Sequence, residues 1–392
     1  MSTELNIGVE LLGDLAYLLI VCSAVGALAY ILKQPLVLGF LVAGILIGPF
    51  GPFSLIKNID MLNNFSDIAI VLLLFGVGLS FPLSHLRGVG RIGITVAVIE
   101  VLTMLGVGFA IGAAFGWSFY DSMFLAAALS ISSTVIIAKV LEDAGMMETT
   151  SALLLTGILI IEDLIAIVML STMHSAVTSG SVEFPVILGA IAKIGLFFGA
   201  TLTLGILIVP KLFDLISRLQ RYEITITFAL GLAFGLSYLT YQLGFSVATG
   251  AFLAGVIIAG SKFSDEIFTI ITPTKEIFTA IFFVTIGALM DLSEIGTFWM
   301  PIAVITVATI LGKVSGVYAG VRLFGAGKQY ALAIGLSMAQ LGEFSFIVLK
   351  TGKDLNVVSD MLFPIVGMVV AITTFIGVIL VKTGTRMVEA YE

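Results

Sequence analysis

Two adjacent carboxylates, Glu162 and Asp163, stand in the middle of an apolar run, IIEDLI at 160–165. In a run that crosses a lipid bilayer, an ionised side chain near the centre costs roughly 2.5–3.5 kcal/mol, so we treat it as functional by default. A carboxyl group in low dielectric keeps its proton unless a cation arrives to balance the charge. Proton and cation then compete for one group, which is the chemistry of ion exchange.

Lys313 is the one cation predicted at a comparable depth, in the middle of another apolar run. Adjacent residues of a helix point about 100° apart, so Glu162 and Asp163 cannot both face one partner squarely. We therefore expect Lys313 to pair with one carboxylate while the other faces a cavity. A static ion pair that only locks two helices is the alternative, but it leaves the second carboxylate unexplained.

Oxygen ligands suited to a hard monovalent cation appear in a polar break, SISST at 130–134. A second break, QLGE at 340–343, interrupts another apolar run and includes Glu343. Interrupted apolar segments at corresponding places in two halves of a chain point to a transporter binding site. The alternative is that the Ser and Thr hydroxyls bond back to carbonyl groups of their own helix.

The elements that position these residues are predicted to be membrane-spanning helices. Of the 392 residues, 59% are hydrophobic and 11% are charged, whereas soluble domains carry roughly 25% charged residues. Apolar stretches of about 20 residues, each long enough to cross a bilayer as a helix, recur along the chain. We predict an all-α polytopic membrane protein of about thirteen helices, at 10–33, 34–50, 61–81, 91–117, 119–141, 151–175, 184–212, 223–242, 246–261, 274–291, 298–322, 331–350 and 360–383.

Two further ionisable residues, Glu100 and Lys193, are predicted off-centre on helices four and seven. We expect Glu100 to face a water-filled vestibule. For Lys193 we expect the aliphatic part of the side chain to extend along the helix, so that the amine reaches the membrane–water interface.

Basic residues predict the orientation of the helices. The loops on one side carry thirteen Lys and Arg residues, and those on the other carry only Lys57, Lys350 and Lys353. Because cytoplasmic loops hold the excess of basic residues, we expect the N-terminus outside and the C-terminus inside. The net charge of −7, without a basic run, gives no footprint for nucleic acid. The single Cys22 excludes an intramolecular disulfide.

The two halves of the sequence resemble each other. GFLVAGI at 39–45 parallels GAFLAGV at 250–256, and FGVGL at 75–79 parallels VTIGA at 284–288. The offset spans seven helices, an odd number, so the two units must have opposite orientations. Such inverted repeats are typical of secondary transporters with a binding site near mid-membrane. The alternative is that glycine-rich packing faces look alike in any membrane protein.

Jointly, the motifs resemble those of the monovalent cation:proton antiporters of the Kef and NapA type, and the likeness covers nearly the whole chain. The matching segments are SST at 132–134, ED at 162–163, GAFLAG at 250–255, FFVTIG at 282–287 and GEF at 342–344.

The resemblance implies an NhaA/NapA-like fold of two inverted six-helix repeats, at 1–175 (helices one to six) and 221–392 (helices eight to thirteen), joined by linker helix seven at 176–220. It also implies a homodimer. In each copy a core domain of helices 4–6 and 11–13, with crossed, discontinuous helices five and twelve, slides against a dimerisation domain of helices 1–3 and 8–10.

The resemblance also assigns roles at the site. Asp163 matches the ion-binding aspartate, Glu162 the variable residue before it, and Lys313 the basic residue that pairs with that neighbour. Thr134 and Ser133 match the unwound stretch facing the site. Accessory candidates are Ser132, Gln340 and Glu343.

Glu162 departs from the family pattern. The residue before the aspartate is Asp in Na+/H+ exchangers of the NapA kind and Gln in glutathione-gated K+ efflux systems. Its identity as Glu leaves open the choice among Na+, K+ and Li+ and the stoichiometry. One expected route is electrogenic: Glu162 releases Lys313 when the cation binds, and Lys313 then loses a proton.

The expected function is exchange of Na+ or K+ for protons by elevator-type alternating access, with Asp163 as the shared site. The expected location is the inner or plasma membrane of a prokaryote. The alternative is a Kef-like gated potassium efflux channel. No HExxH or GxSxG motif is present, which argues against a membrane-embedded hydrolase. No enzyme activity, cofactor or resident metal is expected. Expected partners are the lipid bilayer, a second copy of the chain and a cytoplasmic regulatory domain or subunit of the kind that many Kef-type chains carry.

Overall fold

The computed structural model describes most of the chain. It covers residues 2–389 apart from 33, 35, 57, 80–84, 135, 138–140, 142–145, 147–148, 180–183, 218–220, 244, 246, 292–295 and 343. Glu343, one of the accessory candidates, therefore lies outside the described residues, as does the side chain of Lys193.

The described residues form fourteen helices, which bear out the predicted all-α membrane fold. Their bounds are α1 Ser2–Ile31, α2 Leu36–Ile47, α3 Ile59–Leu79, α4 His85–Ala114, α5 Phe119–Leu129, α6 Thr150–Ser179, α7 Phe184–Ser217, α8 Tyr222–Gln242, α9 Val247–Ala259, α10 Ser264–Ala288, α11 Trp299–Leu323, α12 Lys328–Ser337, α13 Phe344–Asp354 and α14 Leu362–Glu389. Within the described ranges, nine helices are long and apolar enough to cross a membrane, and α2, α5 and α9 are shorter apolar helices.

Helices five and twelve are discontinuous, as predicted. The backbone of α5 leaves the helix at Ser130, and helical residues resume at Thr134. The predicted helix twelve is divided into α12 and α13, with non-helical residues from Met338 to Gly342 among those described. Each break exposes backbone polar groups at mid-helix, and such groups need partners because lipid offers none.

The chain divides into two compact units. Unit 1 comprises 1–82 and 195–295, which hold α1–α3, most of α7 and α8–α10. Unit 2 comprises 83–194 and 296–392, which hold α4–α6, the start of α7 and α11–α14. The roles predicted for a core domain and a dimerisation domain remain predictions.

Glycines let the helices of unit 1 approach closely. A Cβ atom on Gly44 of α2 would overlap the carbonyl oxygen of Val284 in α10, and one on Gly255 of α9 would overlap that of Phe75 in α3. These four positions come from the two matching sequence motifs, so each contact has a counterpart in the other half of the chain. Two-fold related repeats would give such a pattern, although the repeat itself remains a prediction.

Unit 2 packs α4 against α11 along a row of glycines. Gly312, Gly316 and Gly320 lie at intervals of four residues on one face of α11, where small residues allow two helices to pack closely. A Cβ atom on Gly316 would stand 3.0 Å from the Cα atom of Glu100 on α4. This close approach positions Glu100 beside Lys313.

Candidate functional site

The candidate site is built where the two interrupted helices of unit 2 cross. Ser132 and Leu341 form an isolated antiparallel β-bridge, and the Gly342 N–H donates to the Ile131 carbonyl at 3.0 Å. A Cβ atom on Gly342 would stand 2.5 Å from the Ser132 carbonyl oxygen, so only glycine fits without a shift. The two extended stretches thus satisfy each other's backbone groups in the buried interior of unit 2.

The crossing also receives a side-chain contact from the second half of helix twelve. Ser345, near the start of α13, donates from Oγ to the Ala128 carbonyl of α5 at 2.6 Å. This bond satisfies one of the carbonyl groups that the end of α5 leaves without a helical partner.

Asp163 lies on α6 beside the first break. Thr134 donates from its hydroxyl to Asp163 Oδ2 at 3.3 Å, and Asp163 is 7% exposed. Ser133 behaves differently, because its Oγ accepts the Ile136 N–H at 3.4 Å and caps the resumed helix. The structure therefore brings a carboxylate and a hydroxyl together at the unwound stretch, a pair of oxygen groups that suits a hard cation or a proton.

Lys313 pairs with Glu100, so the predicted pairing with Glu162 is wrong in this conformation. The Lys313 ammonium donates to Glu100 Oε1 at 2.5 Å, and neither side chain is exposed. It also donates to Ser132 Oγ at 3.0 Å. The physical reason is the glycine row on α11, which brings α4 within reach of Lys313.

Glu162 is hydrogen-bonded to the backbone at the break in helix five. The backbone N–H of Ser132 donates to Glu162 Oε2 at 3.0 Å, and the residue is 1% exposed. Ser132 is therefore a shared partner, since it binds Glu162 through its N–H and Lys313 through its hydroxyl. The same hydroxyl also donates to the carbonyl oxygen of Met338, at the end of α12, at 3.4 Å.

Gln340 occupies the second break as predicted, but its contacts are local. Its amide nitrogen donates to the Ser337 carbonyl at 3.3 Å. Its buried Oε1 atom has no hydrogen-bond partner among the residues that the structure describes. The Gln340 side chain therefore keeps one buried acceptor atom at the crossing for which the described residues supply no donor.

The environment that the sequence predicts for Glu100 is wrong. A water-filled vestibule is expected around this side chain, yet the side chain is fully buried. Depth along a helix does not reveal which neighbours surround a residue. The spacing of Gly312, Gly316 and Gly320 around Lys313 was the available signal, because a small-residue row marks the face on which another helix packs.

These features define a class of protein. Buried carboxylates at the crossing of two interrupted helices, in a polytopic helical protein, form the type of site found in secondary transporters. Within the described part of the chain, no group of three or more His, Cys, Asp or Glu residues could hold a metal ion.

Comparison with known families gives the particular assignment. Residues 17–384 match the family described as sodium/hydrogen exchanger, transmembrane, and the chain belongs to this family. It is therefore a cation/proton antiporter, not an enzyme. Antiporters of this kind need no cofactor, and the transported ions are substrates.

Two relatives agree with this assignment. A protein of Escherichia coli, provisionally named as the cation/proton antiporter YbaL, is 32% identical over 86% of this chain. The chain spans only 62% of that relative's length. The Na+/H+ antiporter of Enterococcus hirae is 27% identical over 97% of this chain and all of the relative.

The fold is that of a known antiporter. The sodium proton antiporter MjNhaP1 of Methanocaldococcus jannaschii superposes with a TM-score of 0.72 at 20% identity, over 97% of this chain and 99% of the other. The predicted NhaA/NapA-like fold class is thereby confirmed.

Proposed function

We propose that the chain exchanges a monovalent cation, Na+ or K+, for protons, and that Asp163 is the group both ions occupy in turn. The observation that carries this proposal is the contact of Asp163 with the Thr134 hydroxyl at the break in helix five. Asp163 retains a small exposed fraction, whereas Glu100 and Lys313 have none. Of these charged groups, it is the one with some access to an arriving ion.

The coupling follows from electrostatics. In a low-dielectric site, a bare carboxylate is stabilised either by a proton or by a cation with oxygen ligands. The Thr134 hydroxyl and the carbonyl groups of the unwound stretch supply such oxygens. Occupancy by one ion removes the other, so net movement of the cation in one direction moves protons in the opposite direction.

Alternating access of the elevator type would require the site to travel on one rigid body. The residues that build the candidate site (Asp163, Glu162, Thr134, Ser132, Glu100, Lys313) all belong to unit 2. This confinement supports a cycle in which unit 2 carries the loaded site from one face of the membrane to the other.

The test is cation-driven dissipation of a pH gradient in proteoliposomes. Asp163→Asn should abolish dissipation on addition of Na+ or K+, because the amide can neither hold a proton nor balance a cation. Asp360→Asn is the matched control, since Asp360 is 88% exposed and pairs with Lys353 at the surface. Retained exchange in Asp163→Asn would refute the assignment. A current too large for one ion per cycle would instead favour the gated potassium channel.

We also propose the orientation of the chain that the basic residues predict, with the N-terminus outside and the C-terminus in the cytoplasm of a prokaryotic cell. Cys22 is the only cysteine, so single cysteines introduced on a Cys22→Ala background give a clean readout. Thr297 and Gln329 flank α11 and are both exposed. An impermeant thiol reagent applied to intact cells should label Thr297→Cys and spare Gln329→Cys. The reverse pattern would overturn the orientation.

The proposed assembly is a homodimer, with lipid and a cytoplasmic regulatory domain or subunit as further partners. Light scattering of the detergent-solubilised protein, corrected for bound detergent, should give twice the mass of the chain. A monomeric mass, together with full exchange activity, would remove the dimer from the proposal.

A further inference from the structure

Two buried carboxyl groups, Glu100 on α4 and Glu162 on α6, each use one oxygen in a hydrogen bond already described. Glu100 Oε1 accepts from Lys313 at 2.5 Å, and Glu162 Oε2 accepts from the Ser132 N–H at 3.0 Å. Because Lys313 also donates to Ser132 Oγ, the four residues form one connected cluster. Neither carboxyl group has an exposed fraction above 1%.

The remaining oxygens of this cluster lack donors. Glu100 Oε2 and Glu162 Oε1 are both buried, and neither has a hydrogen-bond donor among the residues described. Ser132 links the two carboxyl groups, because its N–H binds Glu162 and its Oγ binds the Lys313 ammonium that holds Glu100. Ionised carboxylates only accept hydrogen bonds, and two of them beside one ammonium would leave a buried negative charge unbalanced in this cluster.

We propose that the Glu100–Glu162 pair holds a single proton, so that the two carboxyl groups together carry one negative charge, which Lys313 balances. The proton supplies a donor where the described residues offer none to the two remaining oxygens. It also removes the repulsion between two carboxylates held in one buried cluster. Asp163 follows Glu162 on α6 and stays outside this balance.

The consequence for transport rests on the proposed function. If the pair keeps its proton, Asp163 is the only acidic group of the described site that changes charge during the cycle. One proton is then exchanged for one monovalent cation, and no net charge crosses the membrane. The Glu100–Glu162 pair keeps the same charge throughout the cycle, and Lys313 stays paired with Glu100 instead of losing a proton.

The proton itself can be observed without transport. Infrared spectroscopy at neutral pH should show a protonated carboxyl C=O stretch in the wild-type protein that Glu162→Gln removes and Asp163→Asn retains. Glutamine is the conservative choice because its amide oxygen can accept from the Ser132 N–H and its amide nitrogen is a donor that needs no added proton. If the wild-type minus Glu162→Gln spectrum shows carboxylate bands instead, the shared proton is wrong.

Solid-supported membrane electrophysiology gives the second readout. The wild-type protein should move protons on a cation jump, seen with an internal pH dye, while producing no steady charge translocation. A wild-type current that scales with transport and disappears in Glu162→Gln would overturn the inference, because it would show that Glu162 carries charge. Absence of any cation-dependent proton movement in the wild type would refute the proposed function instead, and the infrared result would still decide the shared proton.

Discussion

The two compact units differ in what they bury. Among the described residues, every buried carboxylate or amine lies in unit 2, namely Glu100, Asp121, Glu162, Asp163, Lys313 and Lys350. The buried polar side chains of unit 1 are hydroxyl groups only: Ser66, Thr225, Ser237, Thr240, Thr249 and Thr285. Unit 1 thus resembles an ordinary membrane-helix bundle, whereas unit 2 bears the cost of charges inside the membrane.

Glycine brings continuous helices together in both units, and in unit 2 it also lets two interrupted helices cross. In unit 1, Gly44 and Gly255 bring continuous helices into contact, which strengthens packing where no hydrophobic effect acts between helices. In unit 2, Gly342 lets two interrupted segments cross at their backbones. Unit 1 thus uses close approach to pack its helices, whereas unit 2 also uses it to assemble a charged site.

The largest expected effect comes from removing the buried amine of unit 2. Lys313→Met should lower the free energy of unfolding by about 3–5 kcal/mol, because Glu100 is left as an uncompensated buried charge. Thermal unfolding in detergent measures the loss. Lys262→Met is the control in unit 1, where the Lys262–Asp214 pair is partly exposed at 69% and 45% and worth about 0–1 kcal/mol.

A double variant sharpens this prediction. Glu100→Leu combined with Lys313→Met should recover much of the lost stability, because apolar side chains of similar size can replace a buried ion pair. If the double variant is as unstable as Lys313→Met alone, the cost does not come from an unpaired Glu100.

The next effect tests close packing in unit 1. Gly44→Ala should cost about 1–3 kcal/mol, since its Cβ atom would overlap the backbone of α10. Exchange per folded molecule should persist, because no charged group is touched. Gly235→Ala on α8 is the matched control, with no heavy atom within 4 Å of the added Cβ atom. Equal melting temperatures for the two variants would contradict the packing difference.

The same substitution in unit 2 should act on transport more than on stability. Gly342→Ala would place a Cβ atom 2.5 Å from the Ser132 carbonyl oxygen and separate the crossed segments. Since Ser132 binds both Glu162 and Lys313, we expect the exchange rate to fall more than tenfold for a loss of about 1–2 kcal/mol. Initial rates normalised to folded protein measure the effect, and rates that simply follow stability would remove the contrast between the units.

Sequence alone predicted the helices and the breaks because both are local properties. Long apolar runs determine membrane helices, and SISST at 130–134 and QLGE at 340–343 mark where the helices stop. Both interruptions are present in the structure, and the short α2 and α9 lie within the predicted spans. The Thr134 contact with Asp163 joins two segments that were both singled out from sequence.

The partner of Lys313 could not be predicted in the same way. Choosing among Glu100, Glu162 and Asp163 requires knowing which helices touch, and this depends on long-range packing of α4 against α11. Sequence gives the approximate depth of each charge but not its direction around the helix axis relative to distant neighbours. The glycine row on α11 indicates a packed face without naming the helix that fills it.

The smallest predicted effect concerns the hydroxyl beside Asp163. Thr134→Val keeps the shape of the side chain but removes the donor that lies 3.3 Å from Asp163 Oδ2. A hydrogen bond of this length is expected to contribute about 1 kcal/mol, which corresponds to a rise of roughly fivefold in the apparent KM for the cation. Thr134→Ser retains the hydroxyl and should stay near the wild-type value. Because no buried charge is unpaired, the melting temperature should change little in either variant. Equal KM values for Thr134→Val and Thr134→Ser would show that the hydroxyl does not contact the cation, and the oxygen set around Asp163 would have to come from backbone carbonyl groups instead.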